Sequence, residues 1–219
     1  NIQSGIFGLR AGSTMAATDR IVITIIGKGG HASTPHLCVD PIVIAAEVIL
    51  AIQSIVSRKI NPLSPCVISL CQISGGTTFN VIPDRVKIIG TVRTLAKELR
   101  YRMPMLIEDT IKGITSLNNA TYQFEYLKGH PPLNNPQQQV DFVQNKIIEL
   151  FGNKAIENIH PKMGGEDFSY YLEKIKGAFI FLGSGSLEKG TNHPLHSSRF
   201  LLDEDVLYMG PALFAYIAC

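Results

Sequence analysis

An α+β fold is what this sequence predicts, with a β-α-β-β-α-β run over roughly residues 20–130 at its centre. Three observations carry that reading. Four stretches of strand length are rich in β-branched and aromatic residues: Ile21–Ile26, Cys66–Ile73, Arg85–Thr94 and Thr121–Leu127. Two longer stretches, Pro41–Arg58 and residues 96–116, repeat apolar residues at helical spacing. A Pro- and Asn-rich break, Gly129–Pro136, then separates this run from a mainly helical remainder. Strand, helix, two strands, helix, strand is the order of the ferredoxin-like split βαβ unit, an antiparallel sheet with both helices on one face. The other face is then free for a partner.

Residues 1–15 mix Gly and Ser with isolated apolars, Ile6, Phe7 and Leu9, and read as a short strand or connector. After the first strand comes Gly27-Lys-Gly-Gly-His-Ala-Ser-Thr-Pro-His-Leu-Cys-Val-Asp-Pro41, a strand-to-helix loop with three glycines and two histidines. Glycines let such a loop take positive φ or approach another chain closely. A histidine on it is presented rather than buried, although a tight turn with two surface histidines reads equally well. Asp40 suits an N-cap and Pro41 the first helical position. The apolar residues of Pro41–Arg58 cover more than one stripe, which predicts that much of that helix is buried. Arg58 and Lys59 suit its C-terminus, and Pro62 closes it.

Ser74-Gly-Gly76 breaks the second strand, and Thr77–Asp84 is too long for a tight hairpin. Leu99, Met103, Leu106, Ile107, Ile111 and Ile114 mark the second helix, in which Pro104 must start, kink or split it. Beyond the break, Gln137–Phe151, Asp167–Ile175 and Asp203–Ala218 read as helices and Ala178–Gly183 as a strand. One strand cannot make a sheet. This part is therefore expected to complete a sheet supplied by residues outside this chain, or by another chain.

The bulk composition bounds the partners. The chain has 219 residues, 45% hydrophobic and 17% charged, enough for a sizeable core and against disorder. A formal net charge of +2, with no basic run interleaved with aromatics, points away from nucleic acid. No apolar run reaches ~18 residues without polar interruption, so no membrane span is expected. The start has neither Met nor a secretory pattern, and the end stops in an apolar run, so the chain reads as a piece of something longer. Cys38, Cys66, Cys71 and Cys219 form no C-x-x-C pair and read as buried free thiols of a reducing, cytoplasmic setting.

Chemistry gathers in a few places. Asn192-His-Pro-Leu-His-Ser-Ser-Arg-Phe200 carries His193 and His196, with Pro194 against a helical pairing on one metal. Glu166 and Asp167 precede a helix and read first as capping and dipole-complementing acids. Arg93 is basic within an apolar strand, and Asn80 lies in the long crossing loop. No G-x-S-x-G, P-loop, Rossmann glycine pattern or H-E-x-x-H is present.

Together these strings resemble one family. Gly27-Lys-Gly-Gly-His31 with Pro35-His36 and Asp40-Pro41, Gln53–Arg58, Gly75-Gly76, Asn80-Val-Ile-Pro-Asp84, Gly90-Thr-Val-Arg93, Gly164-Gly-Glu-Asp-Phe168 and Leu195-His196 recur in order across nearly the whole chain. They are similar to the di-metal amidohydrolases related to aminoacylase, in the branch of hippurate hydrolase, N-acyl-amino-acid deacetylases and auxin-conjugate hydrolases. The resemblance implies a zinc-peptidase-like α/β catalytic domain with a ferredoxin-like lid inserted. Residues 1–15 would be the catalytic segment before the lid, 16–131 the lid and dimerisation domain, and 132–219 the C-terminal part of the catalytic domain.

The same resemblance implies roles. His31 would reach a neighbouring subunit's site and steady the tetrahedral oxyanion. Asn80 would hold that oxygen or the substrate, Arg93 the substrate carboxylate, and His196 one metal. The family's remaining ligands, on two divalent ions such as Zn, Mn, Co or Ni, and its glutamate base precede the lid and are absent here. The isolated chain is therefore expected to bind no metal tightly and to be inactive. The implied substrate is an N-acyl amino acid or small peptide-like amide, and the implied partner a second copy, giving a homodimer through the lid. A metallo-carboxypeptidase, a succinyl-diaminopimelate desuccinylase and a non-catalytic dimerisation module are the rival readings.

Overall fold

The computed structural model describes residues 2–219; Asn1, first residue of the expected 1–15 segment, lies outside them. In chain order the strands and helices are β1 (Phe7–Leu9), β2 (Gly12–Met15), β3 (Asp19–Ile26), β4 (Gly30–His31), α1 (Pro41–Arg58), β5 (Cys66–Gly75), β6 (Val81–Ile82), β7 (Arg85–Thr94) and α2 (Lys97–Leu117). They continue as β8 (Thr121–Leu127), β9 (Leu133–Asn135), α3 (Gln137–Phe151), β10 (Ile156–Asn158), α4 (Ser169–Leu172), β11 (Phe181–Leu182) and α5 (Met209–Ala218). The chain divides into two units. One holds Met15–Leu133 with Lys162–Asp167, the other the residues up to Thr14, Asn134–Pro161 and Phe168–Cys219.

The first unit is the expected β-α-β-β-α-β arrangement. Its sheet runs β5-β7-β3-β8, with every neighbouring pair antiparallel. The register places Ile21, Ile23 and Ile25 of β3 beside Ile88 and Val86 of β7 and Tyr126, Phe124 and Tyr122 of β8 on one face. Against that face pack Ile44, Val48, Ile52 and Ile55 of α1 and Leu99, Met103, Ile107 and Ile111 of α2. Each such burial stabilises by about 1.5–3 kcal/mol relative to exposure. The strand periodicity of two sends Arg20, Thr24, Lys87, Thr91, Arg93, Gln123 and Glu125 to the opposite face.

α1 differs from expectation in how much of it is buried. Asp40 caps it, its carboxylate accepting from the Ile42 N–H at 2.9 Å, and Pro41 opens it. One stripe, Ile44, Ala45, Val48, Ile52 and Ile55, enters the core, while Ile42, Val43 and Leu50 are 46%, 55% and 73% exposed. A single sheet face covers only one side of a helix, so the second apolar stripe is left outside. By length and composition alone the helix could cross a bilayer, although Glu47, Gln53 and Arg58 interrupt its apolar run. Much of that apolarity serves the sheet instead.

Pro104 neither starts nor splits α2, which runs through it and leaves the Arg100 carbonyl without its helical donor. Arg100 itself is buried and grips Asp19 from two nitrogens, Nη2 to Oδ1 at 2.7 Å and Nε to Oδ2 at 3.0 Å. The Tyr126 hydroxyl donates to the same carboxylate at 2.8 Å and the Gly129 N–H at 3.0 Å, and Arg100 donates to the Gly129 carbonyl at 2.7 Å. This knot ties the first residue of β3 to α2 and to the chain just after β8. Burial, and then the Asp19 carboxylate, push the Tyr126 hydroxyl well above the usual tyrosine range. Beside the knot, Thr18 exchanges hydrogen bonds with His130 and crowds Gly129 and Gly165, where a Cβ would strike it.

In the second unit β1 pairs parallel with β10 and antiparallel with β11. Phe7 and Leu9 pack with Val140, Val143 and Ile147 of α3 and Met209 and Leu213 of α5. Residues 132–219 thus hold three short strands, β9, β10 and β11, rather than one, because Leu133-Asn-Asn135 and Ile156-Glu-Asn158 are too short and polar to read as strands; β9 pairs with β2. The expected strand 178–183 shrinks to Phe181–Leu182, and the expected helix 167–175 to Ser169–Leu172. The last helix begins only at Met209, since Pro211 is tolerated only in a first turn. Asp203 instead caps a 3-10 turn at Glu204–Val206. All four cysteines are free, but none is fully buried: Cys38 and Cys66 are half-buried, Cys71 and Cys219 exposed. Burial pushes the Cys66 thiol up to about 11.

Candidate functional site

The Gly27–Pro41 loop is built by backbone pairing at close quarters. β4 pairs with β6, His31 opposite Val81, and the Ala32 N–H donates to the Asn80 carbonyl at 3.1 Å. His31 and Asn80 therefore stand side by side although 49 positions apart in sequence. Asp84 holds the base of the loop, accepting from the Gly27 N–H at its carbonyl and from the Gly29 N–H at its carboxylate, both at 2.9 Å. Gly27 and Gly29 are required by this approach: a Cβ on Gly27 would enter the Val39 carbonyl, and one on Gly29 the Ile82 carbonyl. The loop's glycines thus serve contact with its own chain, not positive φ.

His31 is exposed, as expected of a presented group. Its Nδ1 accepts from the Ser33 N–H at 3.2 Å and lies 2.7 Å from the Ser33 Oγ. An accepting Nδ1 leaves the proton of the neutral ring on Nε2. His31 is then a hydrogen-bond donor at Nε2. His36 lies in a 3-10 turn, Pro35–Leu37, exposed and without a hydrogen bond to a described side chain.

Arg93 is half-buried on the helix-free face of the sheet, opposite Val67. It lines an open depression of about 490 Å³ with Arg20, Thr91, Gln72 and Cys71. The register sets its place relative to His31. Arg93 stands at the end of the sheet where Val92 pairs with Asp19, whereas the His31–Asn80 ribbon is anchored where Arg85 pairs with Ile26. Arg85 and Arg93 are separated by roughly 26 Å of strand. The structure thus brings together His31 and Asn80 on the β4–β6 ribbon and sets Arg93 at the end of the four-stranded sheet away from that ribbon.

In the second unit His196 is exposed in a turn with φ +65°, one of two non-glycine residues with positive φ among those described. His193 is half-buried in the same loop. A strained, exposed imidazole suits a single coordination position. Among the described residues no three His, Cys, Asp or Glu side chains gather into a metal-binding group. Glu166 and Asp167 do not cap α4, whose N-cap is Phe168, with no side-chain capping hydrogen bond. The Lys162–Gly165 stretch before them is instead stitched to Ala16, whose N–H donates to Gly164 O at 2.9 Å.

Sequence reasoning missed Ser33, Asp84, Arg20 and the Asp19–Arg100 pair. Ser33 lies in a string that draws attention to its glycines and histidines, and Asp84 in one that draws attention to Asn80. An Asp opening a β-branched strand and an Arg inside an amphipathic helix were the available signals for the pair.

Comparison with known proteins adds the following. Residues 19–114 match the peptidase dimerisation domain of the M20 family. The chain is 37% identical over 220 residues to an N-acetylcysteine deacetylase of Bacillus subtilis, covering 100% of this chain and 56% of that protein. It is 36% identical over 218 residues to thermostable carboxypeptidase 2 of Saccharolobus solfataricus, covering 98% of this chain and 54% of that protein. Among solved structures, the Bacillus subtilis YxeP protein, described as a dinuclear metal-binding peptidase of the M20 family, superposes with a TM-score of 0.82 at 29% identity. That match covers 100% of this chain and 53% of the other. The chain spans about half the length of the relatives it matches.

Proposed function

Since this chain belongs to the M20 peptidase family, we propose that it is the lid and the C-terminal catalytic segment of a metal-dependent hydrolase of N-acyl amino acid amide bonds. Residues 16–131 are the lid, and 1–15 and 132–219 belong to the catalytic domain. His196 is one metal ligand. A single imidazole does not make a centre, so the described residues alone do not fit a metal pair. In the whole enzyme such a pair would supply an activated water.

The chain's own residues bind and orient. Arg93 receives the substrate carboxylate in its fork of donors. His31 donates from Nε2 to the oxygen that becomes the oxyanion, and Asn80 assists beside it. The observation that carries this reading is the donor state of His31, fixed by the Ser33 N–H on Nδ1.

The anchoring of Arg93 and His31 at opposite sheet ends supports a further element. Each site draws Arg93 from one lid and His31 with Asn80 from the other, so the enzyme is a homodimer. The dimer is also supported by β5, a ten-residue edge strand paired among the described residues only with β7, and by the exposed Ile42, Val43 and Leu50 of α1. Long open edges and apolar patches of this kind are ordinarily covered.

A carboxypeptidase reading rests on the same Arg93, since a peptide's C-terminal carboxylate fits it as well. The test is Arg93→Ala in the whole enzyme, assayed on an N-acyl amino acid and its carboxyl amide. KM rises by about tenfold or more for the free acid, and the amide is unaffected. Equal losses on both contradict the assignment.

A further inference from the structure

Arg20 has no place in the reading so far, yet it shares the Arg93 depression. It opens the helix-free face of β3, opposite Thr91 of β7, two residues before Arg93 on that face. Cross-strand diagonal neighbours of this kind lie roughly 7–8 Å apart. Both guanidiniums are without an ion pair or hydrogen bond among the described residues. The acid nearest by register, Glu125 on β8, pairs across from Val22 and makes no bond to Arg20. The depression's one carboxylate, that of Asp19, is turned inward and fully buried against Arg100. The lining is therefore cationic and uncompensated, with the Gln72 amide at its edge. At about 490 Å³ it is of a size to hold a small molecule.

We infer that Arg20 and Arg93 together form a site for a dianionic substrate end, namely an N-acyl amino acid whose amino acid is aspartate or glutamate. Arg93 takes the α-carboxylate and Arg20 the side-chain carboxylate. This rests on the proposed role of Arg93 and adds the substrate class. A ligand with two carboxylates gives each uncompensated guanidinium its own partner, whereas a single carboxylate leaves one of the two without a counter-charge.

The test titrates this chain with N-acetyl-L-glutamate, N-acetyl-L-glutamine and inorganic phosphate, following the arginine Nε–Hε resonances. Glutamate should bind about tenfold more tightly than glutamine, the worth of one charge-assisted pair, and should perturb both arginines. Arg20→Gln, an exposed position, should abolish the preference and leave the glutamine affinity unchanged. A preference that survives Arg20→Gln overturns the inference and leaves the role of Arg93 standing. So does phosphate perturbing Arg20 as strongly as glutamate, which marks an unselective anion surface. Absence of any perturbation by glutamate also overturns it, while Arg93 remains open to its own KM test. If Arg93→Gln leaves both affinities unchanged, the Arg93 reading fails, and this inference with it.

Discussion

The two units carry their chemistry on very different scaffolds. In the lid, strands of seven to ten residues pair in continuous register, and the one bulge, at Leu70/Gln72, is confined to the edge strand. In the other unit β1, β10 and β11 are two or three residues long. His31 lies off those long strands, on the two-residue β4–β6 ladder, and is held there also by a carboxylate and a serine, whereas His196 hangs in a turn at positive φ. The difference teaches which part of the machinery is prearranged. Groups that must meet a developing charge gain from rigid placement, because no reorganisation is then needed during reaction. A lone imidazole proposed as a ligand, such as His196, would take its orientation from the metal.

Breaking the lid should therefore leave the second unit alone. Arg100→Met strips the buried Asp19 of its partner and should cost about 3–5 kcal/mol. Urea unfolding with hydrogen exchange should show protection lost across β3, β7 and β8 and retained in α3. Uniform loss in both units would mean that they unfold as one.

Removing the prearranged donor should break chemistry without breaking structure. His31→Ala in the whole enzyme should lower kcat by ~10²–10³. Its metal content and denaturation midpoint should stay unchanged. An unaltered kcat would sink the oxyanion role.

A smaller effect separates the units by pH. The Tyr126 hydroxyl is raised in the folded lid, so the unfolded chain ionises first, near the ordinary value of about 10. The stability it contributes is whole below that pH and declines above it, as the unfolded tyrosinate becomes favoured. Exchange protection in the lid should fall above about pH 10, more steeply than in Tyr126→Phe. Equal slopes would show that Tyr126 has no part in the decline.

How much of this was legible follows from the range of the interactions. The four lid strands and two helices were readable because β-branched runs and helical spacing are local signals, and Asp40-Pro41 marked the start of α1 to the residue. Pro104 was ambiguous because its fate depends on the sheet beneath it. Ile156–Asn158 was invisible because a three-residue polar strand exists only by pairing with β1. His31 and Asn80 were picked out singly by resemblance; their meeting rests on a two-residue ladder that no periodicity announces. The Asp19–Arg100 pair joins residues 81 positions apart. Arg20 looked like any solvated strand residue until the register put it beside Arg93.

The central claim is that each active site uses Arg93 of one lid and His31 of the other. Co-expressing the whole enzyme's His31→Ala and Arg93→Ala subunits tests it directly. In the mixed dimer one site keeps both groups and the other loses both. Random assembly should then restore about a quarter of wild-type kcat/KM, far above either variant alone. Activity no higher than the average of the two homodimers would place both residues on the same lid and contradict the account.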